Sequence, residues 1–172
     1  MIEKREKKNL MEYVTKAEPE VNKLLRKGKA DVDGLFDGLF TIGSVPNNKL
    51  YRYLPKCFVD KVEDCYCDKG YLSCSIDPSC FIFRVGNCSH LACLVISLPS
   101  ETKRINVNEI FPECNDEGEF ILPRGLRLHL IHTKRYEKEE FDELLDSINI
   151  MVRSDCLIKC GIKSITKYEL SL

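Results

Sequence analysis

Three short stretches carry side chains whose types and spacing could do chemistry. Arg52 sits in Leu50-Tyr51-Arg52-Tyr53-Leu54, a run with the look of a short strand ended by Pro55. A guanidinium there offers a fork of donors suited to an anion, or it is an ordinary surface cation. Ser73-Cys74-Ser75 lies in a second strand-like run, Tyr71 to Ile76, opened by Gly70 and closed by Asp77-Pro78. Its hydroxyls could orient an acidic partner, although two serines on an edge strand are commonplace. Glu117-Gly118-Glu119 precedes Phe120-Ile121-Leu122-Pro123-Arg124-Gly125. A carboxylate there could stabilise developing positive charge, or the acidic stretch is a solvated turn entering a strand.

The elements that must hold these residues follow from hydrophobic period. Leu10, Met11, Val14, Ala17, Val21, Leu24 and Leu25 recur at three- and four-residue steps, which predicts a helix face. Glu18-Pro19 should interrupt that face and start a second helix, since a first turn accommodates proline. Leu35 to Phe40 predicts a third short helix capped by Asp31 or Asp33. After Pro46 the period changes to that of strands. Leu91 to Leu98 is a near-continuous apolar run, the mark of a strand covered on both faces. Leu126, Leu128 and Leu130 alternate with Arg127, His129 and Ile131 as a half-buried strand. Tyr136 to Ile148 carries Phe141, Leu144, Leu145 and Ile148 at helical spacing, and Ser164 to Leu172 reads as a closing strand. The expected fold is α+β in one domain over 1–172. Helices fill about 1–45, and a mainly antiparallel, two-sheet, strand-rich part fills about 46–172.

Bulk composition narrows the function. The chain has 172 residues, 44% hydrophobic and 31% charged, with 26 basic against 27 acidic side chains and a formal charge of −1. No field of one sign would draw in nucleic acid or an anionic membrane, so neither is expected as a partner. Ten cysteines are many, yet no CxxC pair occurs, and none of His90, His129 and His132 stands at finger spacing from a cysteine. No metal is expected. Cys74, Cys80 and Cys93 lie in apolar runs, which suits reduced core thiols. The N-terminus is a charge run without signal-peptide character, and no apolar stretch approaches the ~20 residues of a membrane span. A soluble, cytoplasmic protein is the expectation.

Taken in order, the three motifs resemble the signature of ADP-ribosyltransferases: an arginine on a first strand, a Gly-aromatic-Leu-Ser-x-Ser strand, and Glu-x-Glu before an apolar strand. The pattern is similar to the arginine–serine–glutamate branch, which includes clostridial binary toxins and arginine-modifying enzymes. Val21-Asn22-Lys23-Leu24-Leu25-Arg26 also looks like that family's N-terminal helix ending in Asn-x-x-Leu-Arg, and Phe120 to Gly125 like its strand exit. The likeness runs roughly from residue 10 to 132.

The resemblance implies cleavage of NAD⁺ between nicotinamide and ribose, then transfer of ADP-ribose to a target protein. The transition state is oxocarbenium-like, and its leaving group is already cationic, so the main need is an anion beside the ribose. By resemblance Glu119 is that catalytic carboxylate. Ser73 holds Glu119 and the ribose, with Ser75 as support. Arg52 bridges the NAD⁺ phosphates, and the Tyr53 backbone meets the nicotinamide amide. Glu117 would face the acceptor, and a carboxylate there suits arginine. An extended backbone would put Glu117 and Glu119 on one face, about 7 Å apart. The family's serine strand usually reads Ser-Thr-Ser. Cys74 departs from it, but should point into the core, away from the serines. Phe83 and Arg84 lie where the family has a loop clasping NAD⁺, although Phe81-Ile82-Phe83 reads equally as core strand. Phe111 is either the exposed aromatic of a substrate-recognition loop or a core anchor. NAD⁺ itself should lie between the serine and glutamate strands. An NAD⁺ glycohydrolase, with water as acceptor, would use the same carboxylate. A partner-binding module that keeps the fold without catalysis is the reading of another class.

Overall fold

A computed structural model of the chain describes residues 2–28, 34–42, 45, 48–59, 62–79, 88–114 and 118–172. The N-terminal helix α1 (Ile2–Glu12) does not stop at Glu18-Pro19. It passes through a π-helical turn at Tyr13–Ala17 and continues as α2 (Glu18–Arg26), with the Glu18 N–H donating to the Tyr13 carbonyl five residues back. Position 19 is a proline, which has no N–H to give an α-helical bond. The wider turn stands just before it and leaves the helix continuous. It also adds one residue to the repeat, so Tyr13, Glu18, Asn22 and Arg26 follow one another at steps of five, four and four. Leu35 to Phe40 forms only a 3-10 turn at Asp37–Leu39, and its two candidate caps lie outside the described residues.

Among the described residues nine strands form one hydrogen-bonded sheet. They are β1 (Thr41–Ile42), β2 (Lys49–Pro55), β3 (Cys65–Cys67), β4 (Leu72–Ser75), β5 (His90–Ser97), β6 (Lys103–Asn106), β7 (Glu119–Leu122), β8 (Arg127–Glu137) and β9 (Ser164–Ser171). Their order is β1-β6-β7-β4-β2-β5-β9-β8-β3, and only the β5–β9 pair is parallel. Between β2 and β4 the ladder narrows to the single pair Tyr51↔Ser75. A smaller half, β1-β6-β7-β4, and a larger half, β2-β5-β9-β8-β3, therefore meet at one rung and fold face to face, as a two-sheet core requires.

Side-chain alternation divides the apolar residues into three clusters. Leu72, Cys74, Phe120 and Leu122 of the smaller half pack on Leu50, Ala92, Leu94 and Ile96 of the larger one. Beyond the one-turn helix α3 (Val107–Ile110), the other face of β5 sends Leu91, Cys93 and Val95 under α4 (Phe141–Ser147) and α5 (Ser154–Lys159), where Phe141, Leu144 and Leu157 cover them. The run from Leu91 is thus buried on both faces, as its composition predicts. The outer face of the smaller half, with Ile105 and Ile121, packs on Leu10, Tyr13, Val21 and Leu25 of the N-terminal helix. Tyr136 belongs to β8, not to the helix that follows it. Phe141 begins that helix after a capping box between Glu137 and Glu140. Among the described residues no helix is long and apolar enough to cross a membrane.

Candidate active site

Alternation in β4 sends Leu72 and Cys74 into the core between the halves and leaves Ser73 and Ser75 on the opposite face. Cys74 is wholly buried, and burial pushes its thiol up to about 12. The opposing strand β7 is locked to β4 by the pairs Ser75↔Glu119 and Ser73↔Ile121. Paired residues project from one face, so Glu119 shares the face of the two serines. The Ser73 hydroxyl donates to Glu119 Oε1. Ser73 is itself almost fully buried, which fixes the hydroxyl as an orienting group for the carboxylate. Ser75 Oγ accepts from the Asp77 N–H at 2.9 Å and so anchors the turn that leaves the strand.

The backbone entering β7 depends on Gly118. Its φ is +54°, its carbonyl accepts from the Ile76 N–H at 3.1 Å, and a Cβ there would lie 2.4 Å from Ile76 Cγ1. Glycine meets both demands, the left-handed conformation and the close approach. This turn overrides the extended backbone assumed for Glu117-Gly118-Glu119, so strand alternation cannot be carried back through Gly118. Glu117 itself lies outside the described residues, as do Phe81, Phe83 and Arg84.

Arg52 approaches from the larger half. It has the parity of Leu50 and Leu54, projects between the halves, and donates from Nη1 to the Ser73 carbonyl at 2.9 Å. Its Nη2 meets Glu18 Oε1 at 2.6 Å. Burial works against the Arg52 charge, but the Glu18 carboxylate holds its pKa above the ordinary value. One arginine thus ties the catalytic-looking serine strand to the N-terminal helix, and Arg52, Ser73 and Glu119 form one bonded chain.

That helix is placed by buried polar bonds. Asn22 Nδ2 donates to Tyr13 Oη at 2.9 Å and to the Tyr71 carbonyl at 3.0 Å, and Asn22 Oδ1 accepts the Tyr71 N–H at 2.8 Å. Burial first, then the charge of Glu18, pushes the Tyr13 phenol well above its usual range, so it stays protonated. Arg26 grips Asp68 through two bonds, at 2.9 and 2.6 Å, while Asp68 also accepts from the Gly70 N–H at 2.8 Å and Tyr66 Oη at 3.1 Å. Gly70 is needed because a Cβ would fall 2.5 Å from Asn22 Oδ1.

Beside this network opens a cleft of about 1070 Å³, lined by Glu18, Asn22, Arg26, Arg52, Tyr66 and Asp68 among others. Such a volume is at the upper end of the roughly 300–1,000 Å³ typical of small-molecule sites. Its position corrects one expectation. The serine and glutamate strands are direct ladder partners, spaced about 4.8 Å apart, and no dinucleotide fits between them. The cleft lies instead between α2, β2 and the β3–β4 segment, on the Arg52 side of the serine strand. After Tyr51, β2 makes no further ladder pair with β4 among the described residues, so the edge from Arg52 to Pro55 faces this opening, and Tyr53 is one of its lining residues. The Tyr53 side chain is turned away and buried in the cluster under α4. Phe111 is half-buried against the cluster beneath the N-terminal helix and borders a groove with Lys7, Met11 and Thr15. Among the described residues no group of three or more His, Cys, Asp or Glu side chains is placed to share a metal ion.

Glu18 is the site residue that sequence reasoning missed. Helical spacing from Tyr13 in an unbroken α-helix points to position 17, and only the proline beside Glu18 signalled a change of phase.

No protein-family model matches the chain, and no curated protein sequence matches it either. Solved structures do. Plx2a, an ADP-ribosyltransferase toxin from Paenibacillus larvae, is 20% identical with a TM-score of 0.62, over 96% of this chain and 84% of that one. Exoenzyme S from Pseudomonas aeruginosa, solved with human 14-3-3 protein beta and bound to carba-NAD, is 17% identical with a TM-score of 0.59, over 97% and 72%. The ADP-ribosylating toxin BECa of C. perfringens, solved with NADH, gives a TM-score of 0.66 at 13% identity, over 97% of this chain and 43% of that one. The fold is therefore that of the ADP-ribosyltransferase toxins.

Proposed function

We propose that the chain is a mono-ADP-ribosyltransferase that cleaves NAD⁺ and passes ADP-ribose to a protein side chain, with arginine as the acceptor. The observation that carries this reading is the bonded chain Arg52–Ser73–Glu119, of which Arg52 lines the cleft. Glu119 supplies the anion beside the ribose, accepting from its 2′-hydroxyl and strengthening as positive charge develops at the anomeric carbon. Ser73 holds that carboxylate in one orientation, which spares its reorganisation during the reaction. Arg52 neutralises the diphosphate and draws the dinucleotide along the open edge of β2, where the Tyr53 backbone can pair with the nicotinamide amide. Glu117 orients the incoming guanidinium, a role that rests on the Glu-x-Glu resemblance.

The test is nicotinamide release from NAD⁺ by the purified chain, with calorimetric NAD⁺ affinity for wild type and Arg52→Ala. Release of nicotinamide and a large loss of affinity in the variant support the reading. Equal affinity of Arg52→Ala and wild type removes Arg52 from the phosphate site. Absence of nicotinamide release, with and without arginine analogues, refutes the enzyme itself.

A further inference from the structure

Two guanidiniums line the cleft, and each is met by a carboxylate of the chain itself, in different ways. Arg26 and Asp68 form a two-point pair, and Asp68 accepts further bonds from the Gly70 N–H and Tyr66 Oη. That carboxylate is built into the wall. Glu18 meets Arg52 through one oxygen, and no other hydrogen bond to its carboxylate is present among the described residues. Its side chain is 29% exposed against 8% for Asp68. It sits at the mouth of the cleft, on the first turn after the π-helical segment, where the shift in helix phase delivers it to Arg52.

We propose that Glu18 is an internal competitor of the substrate diphosphate, holding Arg52 until an incoming anion displaces it. The inference rests on the reading of Arg52 as the diphosphate ligand and adds a residue to it. An anion that bonds Arg52 at Nη2 either takes the place of Glu18 Oε1 or sits against its negative charge, and like charges that close repel. Glu18 can leave at lower cost, since its part-exposed carboxylate gives up one bond and has water beside it. Asp68 cannot, since leaving would strand the Gly70 N–H and the Tyr66 hydroxyl along with Arg26. Entry of the ligand is therefore coupled to release of α2 from the serine strand at this one point, while Arg26 and Asn22 keep the helix docked.

The experiment compares calorimetric affinities of wild type, Glu18→Gln and Arg52→Ala for three probes: inorganic pyrophosphate, NAD⁺ and nicotinamide riboside. Glu18→Gln keeps the shape and removes the competing charge, so pyrophosphate and NAD⁺ should bind about 5–30-fold tighter, the range expected between an exposed and a buried ion pair. Nicotinamide riboside carries no phosphate, and its affinity should move by less than about twofold; a merely structural role for Glu18 would shift all three probes together. Glu18→Thr serves the same test if circular dichroism shows the glutamine variant unfolded. Pyrophosphate binding to Glu18→Gln no tighter than to wild type, with Arg52→Ala weaker than both, overturns the competitor and leaves Arg52 as the anion ligand. Pyrophosphate and NAD⁺ binding by Arg52→Ala at wild-type strength overturns both. Tighter pyrophosphate binding by Glu18→Gln without nicotinamide release in any variant upholds the competitor and refutes the enzyme.

Discussion

Glu119→Gln removes one negative charge while keeping the length and shape of the side chain, and Ser73→Ala removes the hydroxyl that donates to it. The two changes should not combine as independent losses. Loss of one preorganised electrostatic group acting in the transition state typically costs about 10²–10³ in kcat. A hydrogen bond to a charged group is worth about 1.5–3 kcal/mol, so Ser73→Ala should cost roughly 10- to 150-fold, felt in kcat more than in KM. Ser73 acts through Glu119, being buried behind it, so the double variant should be within about threefold of Glu119→Gln alone. The assay is single-turnover nicotinamide release at saturating NAD⁺ for all four proteins, with thermal melts to confirm that each is folded. Multiplication of the two losses, which would put the double variant roughly 10- to 150-fold below Glu119→Gln, would refute the claim that Ser73 works by orienting the carboxylate. Wild-type rates in Glu119→Gln would place the chemistry elsewhere.

Glu117→Gln should sharply reduce transfer to an arginine analogue while sparing much of the NAD⁺ hydrolysis, because water needs no guanidinium clamp; parallel loss of both activities would contradict that role. Stability should fall with rising pH from about 8.5, since burial raises the Cys74 and Cys93 thiols to about 12 in the folded chain, well above an unfolded thiol near 8.5. In that window the unfolded state binds fewer protons than the folded state, so each thiol lowers stability by a slope approaching about 1.4 kcal/mol per pH unit. Urea titrations between pH 8 and 10 should show the midpoint falling, and Cys93→Ala should flatten the slope.

How much of this was legible in the sequence depended on whether a segment's own composition decided its fate. β5 declares itself, because Leu91 to Leu98 has no polar side to show to water. The start of β7 at Glu119 is likewise written in Gly118, which can take the left-handed backbone just before the strand. The shortest strands carry no such pattern: β3 is Cys-Tyr-Cys and β6 is Lys-Arg-Ile-Asn, and each pairs with a neighbouring strand that offers a ladder. Tyr136 opens the stretch in which Phe141, Leu144, Leu145 and Ile148 stand at helical spacing, yet β9 pairs it with Ile165 and extends β8 to Glu137. In the site, Arg52, Ser73 and Glu119 could be picked out by pattern. Glu18 could not, because its facing depends on a π-helical turn that only the docked helix and Pro19 together impose. The position of the cleft was misjudged for a related reason: motif order says nothing about which strands are ladder neighbours.

Gly118 has a bearing on how such a site can drift. On the proposed function the two glutamates around it answer to chemistry, and a lineage that abandoned catalysis would be released to change them. The glycine answers to sterics: any side chain meets Ile76 Cγ1 at 2.4 Å and asks an L-residue to hold φ at +54°. It would stay fixed after activity was lost, since a smaller residue at 76 would relieve the contact but not the left-handed φ. In a library of variants sorted only for being folded, substitutions should accumulate at Glu117 and Glu119 and be depleted between them. The middle letter of Glu-Gly-Glu is then a record of the fold, and the outer two are a record of selection for the reaction.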